Sequence, residues 1–245
     1  DIFGVHQAMW EHHIATLRRH EPFRDFVYQI NGSDGHKYWL SINGNPMFDD
    51  TGRFVGYHGT ASDITLRIEA EERFRHLAYH DTLTRLPNRR LLSDRLDQAV
   101  RNAARYGHRV ALLLIDLDGF KKVNDQHGHA AGDRVLEAVA ARLREAVREA
   151  DTVARMGGDE FVVLLPEIGS TEDAVMVADK IHGAINEPIA DGLHNHAVGS
   201  SIGISIFPDH GDSAEALLHR ADHAMYHGKS RGGKTTRLFD ASSLN

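Results

Sequence analysis

Residues 110–117, with the sequence VALLLIDL, constrain the fold of this chain more than any other segment. The run is almost wholly aliphatic and lacks the alternation of polar and apolar side chains that marks a strand with one face in solvent. Such a strand is buried on both faces. We therefore expect it at the centre of a sheet that helices cover on both sides.

The segments around this strand predict an α+β domain of the ferredoxin-like, or palm-type, class. Amphipathic spacing predicts helices over residues 88–106, 129–147, 171–186 and 213–227. Apolar stretches predict further strands over 152–156, 161–165, 197–207 (with a break allowed at Gly199) and 235–239. The central order βαββαβ is that of a ferredoxin-like sandwich, with extra elements at its end.

Residues 1–65 indicate the last part of a smaller mixed domain. A short helical remnant over 14–19 precedes three predicted antiparallel strands over 23–30, 38–43 and 54–61, which glycine-containing turns separate. Three strands are too few to bury both faces alone, so we expect this piece to pack on something or to be cut from a larger domain. A polar helix over 66–79 links it to residues 80–245 and could pair with a second copy of itself.

Composition excludes several kinds of function. Lys and Arg number 28 against 35 Asp and Glu, and this net charge of −7 argues against a nucleic-acid polymer as partner. The absence of cysteine excludes disulfides and thiolate chemistry. The sequence has neither a long apolar run nor a signal peptide, so we expect a cytosolic chain without membrane contact. We expect the histidines, among them His13, to lie mostly on the surface.

Two acids follow the buried strand. Strand periodicity places Asp116 and Asp118 on one face, where they repel each other and lose solvation. A hard cation such as Mg²⁺, shared with substrate phosphates, would relieve this. An ordinary N-cap pair for a helix that begins near Gly119 explains the same residues, and the pattern alone leaves both interpretations open.

A second acidic segment lies in a predicted hairpin turn. In Gly157-Gly158-Asp159-Glu160 the glycines allow a phosphate to approach bare backbone, and the carboxylates beside them would bring a metal to that phosphate. By itself the pattern is more typical of a surface hairpin.

Residues 155–161, RMGGDEF, resemble the signature of the GGDEF family of diguanylate cyclases. The resemblance covers about 80–240. The further matching segments are 81–89 (DTLTRLPNR), 116–125 (DLDGFKKVND), 128–133 (GHAAGD), 201–205 (SIGIS) and 221–226 (ADHAMY). It implies that two subunits of a homodimer each present one GTP, and that these are joined into cyclic di-GMP with release of two pyrophosphates.

The resemblance also implies roles for particular residues. Mg²⁺ or Mn²⁺ is bound by Asp116, the Leu117 carbonyl and Asp159, and Glu160 can hold a second ion. Asp159 or Glu160 activates the 3′-hydroxyl, and the sequence does not decide between them. The substrate-binding set is Lys121, which also acts in catalysis on the triphosphate, Asn124 and Asp133 for guanine, and His129, Phe120, Gly157, Gly158 and Lys229. On residue pattern alone, helix capping better explains Asn124 and Asp133, and a solvated side chain better explains Lys121.

Two further features bear on regulation and affinity. Arg148 and Asp151 fall where the family has its RxxD inhibitory product site, and the resemblance favours this role over the alternative of an arginine at a helix C-terminus. The family's late motif Lys-x-x-Gly-Arg is incomplete, because Gly233 replaces its arginine; Arg231 or Lys234 would then supply the missing charge, and triphosphate affinity is in doubt.

The sequence thus predicts a diguanylate cyclase under the control of a sensor. Residues 54–65 resemble the closing strand and exit motif of PAS sensor domains, of which only the C-terminal part is present. The alternative is a module that binds GTP or cyclic di-GMP without turnover and regulates a phosphodiesterase domain in a longer parent chain. A polymerase relative is a third reading, and it conflicts with the negative charge.

Overall fold

The computed structural model describes residues 2–190, 194–230 and 233–240, with side chains from residue 7 onward. The chain divides into two compact units, and the boundary along the chain lies between His76 and Leu77. No described helix is long and apolar enough to cross a bilayer.

The first unit contains a helix and a three-stranded antiparallel sheet. Helix α1 (Ile2–Arg18) precedes β1 (Phe23–Asn31), β2 (Lys37–Phe48) and β3 (Phe54–Asp63), which lie in the order β1-β2-β3. The predicted strands are confirmed. Helix α2 (Thr65–Tyr79) follows and has no buried residue.

Two expectations about the first unit are wrong. Helix α1 is far longer than the predicted remnant over 14–19, and His13 is buried rather than on the surface. The physical reason is aromatic packing: the His13 ring stacks on Phe26 at 3.6 Å between ring centroids, and Trp10 meets the same phenylalanine edge-on at 5.0 Å. A histidine that packs as an aromatic side chain is not visible in a hydropathy pattern.

The second unit carries the buried strand at the middle of its sheet. Its helices are α3 (Arg89–Tyr106), α4 (Phe120–His127), α5 (His129–Ala146), α6 (Thr171–Asn186) and α7 (Ala214–Lys229). Its strands are β4 (Arg109–Asp118), β5 (Thr152–Gly157), β6 (Glu160–Ile168), β7 (Ile189–Ala190), β8 (Asn195–His196), β9 (Gly199–Phe207) and β10 (Thr236–Leu238). The five-stranded sheet has the order β10-β9-β4-β6-β5, antiparallel except for β10 beside β9. The predicted ferredoxin-like topology is confirmed.

Helices cover both faces of this sheet, as the aliphatic run predicts. Leu113 and Ile115 of β4 belong to the core that includes buried residues of α5 and α6. The alternate residues Leu112 and Leu114 belong to a second core with α3 and α7. Asp116 continues the second series, so it lies on the α7 side at the end of the strand.

Three local differences separate the structure from the sequence-based expectation. Residues 120–127 form a separate helix, α4, of which only Phe120 and Val123 are buried, too few to give a clear periodicity. The two-residue strands β7 and β8 pair with each other in the antiparallel sense, which the sequence did not predict. Strand β9 starts at Gly199, after the break that the sequence allowed.

Candidate active site

The acidic end of β4 meets the β5–β6 hairpin through backbone pairing. Asp116 lies opposite Glu160 in the β4–β6 register, and the Leu117 N–H donates to the Asp159 carbonyl oxygen at 3.3 Å. On the other side of β4, Asp116 lies opposite Ser201 of β9. The structure therefore brings the two acidic segments that the sequence singled out to one edge of the sheet.

Burial and like charge act on these carboxyl groups. Burial raises the pKa of Asp116; the Lys229 ammonium opposes the rise, and the Asp159 and Asp118 carboxylates add to it. Burial also raises the pKa of Glu160, with further contributions from Asp116 and Asp159. Negative charge is therefore concentrated here beyond what the protein itself neutralises.

Lys229 of α7 supplies the positive charge that the protein provides. Its Nζ lies 2.5 Å from Asp116 Oδ1, a buried oxygen that has no aligned hydrogen bond among the described residues. The ammonium therefore partly neutralises a buried carboxylate that has other carboxylates close to it. The sequence predicted Lys229 as a substrate ligand and missed this ion pair, because strand and helix lie far apart along the chain.

The types of residue present fit a hard divalent ion in their chemistry. Carboxylate and carbonyl oxygens are the ligands that Mg²⁺ prefers, and Asp116 has no cationic partner other than Lys229 recorded in the described structure. The side chains are not drawn together as a ligand set, however, since no group of three or more His, Asp or Glu in the described part of the chain is arranged to hold a metal.

The raised pKa values predict how stability depends on pH. A carboxyl group whose pKa is higher in the folded than in the unfolded state binds more protons when folded, so the free energy of unfolding falls as pH rises from about 4 through the folded pKa. We expect wild type to lose stability relative to Asp116→Asn over this interval. Urea denaturation of both proteins at a series of pH values measures the difference; a relative gain by wild type with rising pH would show that Lys229 outweighs burial.

Asp118 has a different role from Asp116. Its carboxylate accepts hydrogen bonds from Ser201 Oγ, at 3.0 and 2.9 Å, and from the Lys234 backbone N–H at 2.8 Å. Helix α4 begins after Gly119, with no side-chain cap. The capping interpretation of the acid pair is therefore wrong, and Asp118 instead holds the segment that leads to β10.

This anchoring gives a local reason for the glycine that departs from the family motif. Gly233 has φ +68°, and a Cβ added there would lie 3.2 Å from Asp118 Oδ1. Lys234, one of the two residues considered as substitutes for the missing arginine, is exposed; Arg231 lies outside the described residues.

Helices α4 and α5 place the residues predicted to read guanine. The Asn124 side chain lies against Gly132, where an added Cβ would come within 2.0 Å of Asn124 Oδ1 and 3.2 Å of Phe120 Cζ. Asp133 is the next residue of α5. Asn124 and Asp133 are not the N-cap residues of these helices, so the capping alternative fails for both. Lys121, His129 and Asp133 are exposed.

The hairpin itself is held by an arginine that the sequence analysis quoted but assigned no role. Arg155 Nε and Nη2 donate to the Gly158 carbonyl oxygen at 3.1 and 2.7 Å, and Nη1 donates to Asp81 Oδ1 at 3.0 Å. Arg155 thus joins the signature motif to the segment 81–89. The presence of both motifs in one sequence was the only sequence feature that could have indicated this contact. Asp222 also acts electrostatically on Glu160, and the sequence gave no indication of it.

Arg148 and Asp151 form a closed turn after α5. The Arg148 N–H donates to Asp151 Oδ2 at 2.9 Å, and the Asp151 N–H donates to the Arg148 carbonyl oxygen at 3.0 Å. Both residues line a cavity of about 280 Å³, which Lys180 and Met176 of α6 also border. We name this the RxxD cavity.

The sequence matches one protein family over most of the second unit. The profile of "Diguanylate cyclase, GGDEF domain" matches residues 78–235. The chain is 47% identical over 166 residues, 68% of its length, to the bifunctional diguanylate cyclase/cyclic di-GMP phosphodiesterase MucR of Pseudomonas aeruginosa, and 47% identical over 165 residues, 66% of its length, to the diguanylate cyclase TpbB of that species. It spans only 24% of MucR and 38% of TpbB.

Solved structures show the same likeness. The crystal structure of the TpbB GGDEF domain matches with a TM-score of 0.63 and 45% identity, covering 66% of this chain and 99% of that one. The coiled coil and GGDEF domain of DgcB from Caulobacter crescentus, crystallised in complex with cyclic di-GMP, matches with a TM-score of 0.65 and 27% identity, covering 71% and 93% of the two chains.

Proposed function

Because this chain belongs to the GGDEF family of diguanylate cyclases, we propose that residues 80–245 join two GTP molecules into cyclic di-GMP and release two pyrophosphates. The observation that carries the proposal is the meeting of Asp116 with the Asp159–Glu160 hairpin at one edge of the sheet, beside the glycine turn. The curated relatives TpbB and MucR carry this activity in their names.

Asp116, the Leu117 carbonyl and Asp159 would hold one divalent ion, and Glu160 a second. Mg²⁺ or Mn²⁺ bound there supplies charge that stabilises the attacking and leaving oxygens of an in-line displacement. Lys229, which now pairs with Asp116, lies where its ammonium can turn to the triphosphate once that carboxylate has another partner. The 2.5 Å ion pair between Lys229 and Asp116 is the observation that supports this exchange of partners.

The remaining residues position the nucleotide. Lys121, exposed at the start of α4, meets the triphosphate, whose oxygens approach the backbone of Gly157 and Gly158. Asn124 and Asp133 hydrogen-bond the guanine edge beside Phe120 and His129. Asp159 or Glu160 accepts the proton of the 3′-hydroxyl that attacks the other subunit's GTP. Both carboxylates lie in the same hairpin, which supports this role for either of them.

Replacing Gly132 by alanine tests the guanine site. The new methyl group would displace the Asn124 amide, and we expect GTP binding to weaken about tenfold or more through loss of its hydrogen bonds. Isothermal titration with GTP measures the change. Gly183→Ala in α6 is the matched control, because an added Cβ there meets nothing within 4 Å. Equal GTP affinity in both variants would contradict the assignment of Asn124.

Control of the activity is a separate part of the proposal. The first unit acts as the C-terminal part of a PAS sensor, and α2 transmits its state to a homodimer of catalytic domains. Exposed Leu66 and Phe74 on α2 support pairing of this helix with a second copy. Cyclic di-GMP bound at Arg148 and Asp151 inhibits the enzyme. A cytosolic location also stays a prediction.

A second candidate function is a binding module without turnover. Gly233, in place of the motif's arginine, favours it by removing a charge from the triphosphate site. MucR, which carries both cyclase and phosphodiesterase activity in its name, illustrates the longer parent chain that this alternative requires.

Incubation with GTP and Mg²⁺, followed by detection of cyclic di-GMP, separates the two functions. A cyclase forms product at a rate per subunit that rises with protein concentration, because dimerisation completes the site. Asp159→Ala/Glu160→Ala removes the product. Binding of GTP without product at any concentration would favour the module.

A further inference from the structure

Two histidines of α7 meet at a separation of one helical turn. His223 and His227 are four positions apart, the spacing that places two side chains on one face of a helix. Their Nε2 atoms lie 3.2 Å apart, and their ring centroids lie 4.4 Å apart. Both residues are half-buried, whereas Tyr226, which lies between them in the sequence, is exposed. We name these two residues the histidine pair.

A hydrogen bond between the two rings leaves one buried nitrogen without a partner. A bond between the Nε2 atoms needs a proton on one of them. If His223 supplies that proton, its Nδ1 is a bare acceptor; if His227 supplies it, neutral His223 carries its own proton on Nδ1. This Nδ1 is buried and has no hydrogen-bond partner among the described residues. Neither tautomer satisfies the pair, so hydrogen bonding alone does not account for it.

The separation of the two Nε2 atoms suits two ligands of one metal ion. Bonds between Zn²⁺ and an imidazole nitrogen are about 2.0–2.1 Å long. Two bonds of about 2.05 Å that span 3.2 Å enclose an angle of about 103°, which is close to the tetrahedral angle. Two histidines four positions apart are also the arrangement in which a single helix presents two ligands to zinc.

Aromatic neighbours position the rings. His223 meets the Phe239 ring edge-on, with 5.9 Å between the ring centroids. Phe239 is itself buried, and its backbone N–H donates to the Ile204 carbonyl oxygen at 2.8 Å. The His227 ring meets Tyr226 edge-on, with 6.4 Å between the centroids. Because these contacts already restrict the imidazoles, a ligand that binds both of them loses less side-chain entropy.

The histidine pair lies at the end of α7 that favours positive charge. The helix ends at Lys229, so the pair occupies its last two turns, where the helix dipole and the last carbonyl groups are negative. Lys229 projects about 200° around the helix axis from His227, at about 100° per residue, and pairs with Asp116. The histidine pair is therefore separate from the acidic site.

We propose that the histidine pair binds a divalent transition-metal ion of the class of Zn²⁺, Ni²⁺ or Cu²⁺ through its two Nε2 atoms. Imidazole nitrogen suits these ions, whereas Mg²⁺ prefers oxygen ligands. No group of three or more His, Asp or Glu in the described ranges is arranged to hold a metal, so water fills the other coordination positions. The pair takes its ion whether or not the domain turns over GTP, so the inference stands apart from the proposed function.

Two glutamine variants separate this site from the other histidines. His227→Gln removes one ligand and places a good helix former in α7, so the variant is expected to fold. His219→Gln is the matched control, because His219 lies on the same helix one turn before His223, is exposed and lines a different pocket. We expect the affinity for Zn²⁺ at His223 to fall at least about tenfold in His227→Gln and to stay unchanged in His219→Gln.

Long-range nitrogen–proton spectra of the imidazole rings test the proposal with Zn²⁺ as the probe. Excess Mg²⁺ is present so that carboxylate sites do not take up the zinc. We expect the Nε2 signals of His223 and His227 to shift together and to saturate as Zn²⁺ is added. Shifts confined to other histidines, or equal Zn²⁺ affinity at His223 in His227→Gln and wild type, would overturn the proposal.

Discussion

Asp116→Asn is expected to lower cyclic di-GMP synthesis by about a hundred- to a thousandfold, as removal of one group that stabilises transition-state charge does. Asn keeps the shape of the side chain but loses the charge that pairs with Lys229 and that a divalent ion requires. The measurement is the initial rate of product formation at saturating GTP and Mg²⁺, at a protein concentration where wild type is dimeric.

Asp118→Asn is the matched control for this prediction. Asp118 lies two residues further along the chain, on the same side of the sheet. Its carboxylate accepts hydrogen bonds from Ser201 Oγ and from the Lys234 N–H, and the amide oxygen of an asparagine can still accept both. We expect a loss below about tenfold. Because burial penalises the Asp116 carboxylate, Asp116→Asn should also be at least as stable as wild type at neutral pH, so its inactivity would not reflect unfolding. Equal losses in the two variants would contradict the different roles assigned to these acids.

Gly203→Ala is expected to destabilise the second unit by about 1–3 kcal/mol, the usual cost of overpacking. Gly203 lies in β9 where α7 crosses the sheet, and an added Cβ would come within 2.0 Å of the Ala221 carbonyl oxygen and 2.5 Å of the Met225 backbone nitrogen. These atoms are backbone, so the strain is relieved only by moving the helix. Urea denaturation measures the loss, and Gly183→Ala again serves as the control.

The same substitution should reach the active site. Helix α7 carries Lys229 at its end, so a helix that moves away from β9 takes the ammonium away from Asp116. We expect Gly203→Ala to reduce cyclase activity even at temperatures where it is fully folded, whereas a destabilising substitution far from α7 would not. Full activity of folded Gly203→Ala would show that the spacing between α7 and β9 does not control the site.

The sequence predicted what local patterns encode. The aliphatic run over residues 110–117 predicted a strand buried on both faces. The alternation of apolar and polar residues and the helical spacing of apolar residues predicted most of the other strands and the helices that cover the sheet. The glycine in SIGIS stood in a recognisable motif, but the reason for it, the close crossing of α7, required the third dimension. Apolar spacing did not predict helix α4, because only two of its side chains are buried; a helix near Gly119 entered the analysis only through the capping interpretation of the acid pair.

At the candidate site, the features that the sequence could not predict are contacts between segments far apart along the chain. The acids of both loops were identified from their residue types and from the family resemblance, and backbone register then accounts for their meeting. The Lys229–Asp116 pair, the Asp81–Arg155 pair and the anchoring of Asp118 each join residues from separate elements, and no local pattern encodes such pairs. Hydropathy likewise could not show that His13 packs as an aromatic ring.

The most direct test of the central claim is a crystal structure of the protein with Mn²⁺ and a GTP analogue that cannot be cleaved. The account predicts an anomalous peak within bonding distance of carboxylate oxygens from both Asp116 and Asp159, with Lys229 Nζ moved from Asp116 to a phosphate oxygen. A bound nucleotide with no metal between these two acids, and with Lys229 still paired to Asp116, would contradict it.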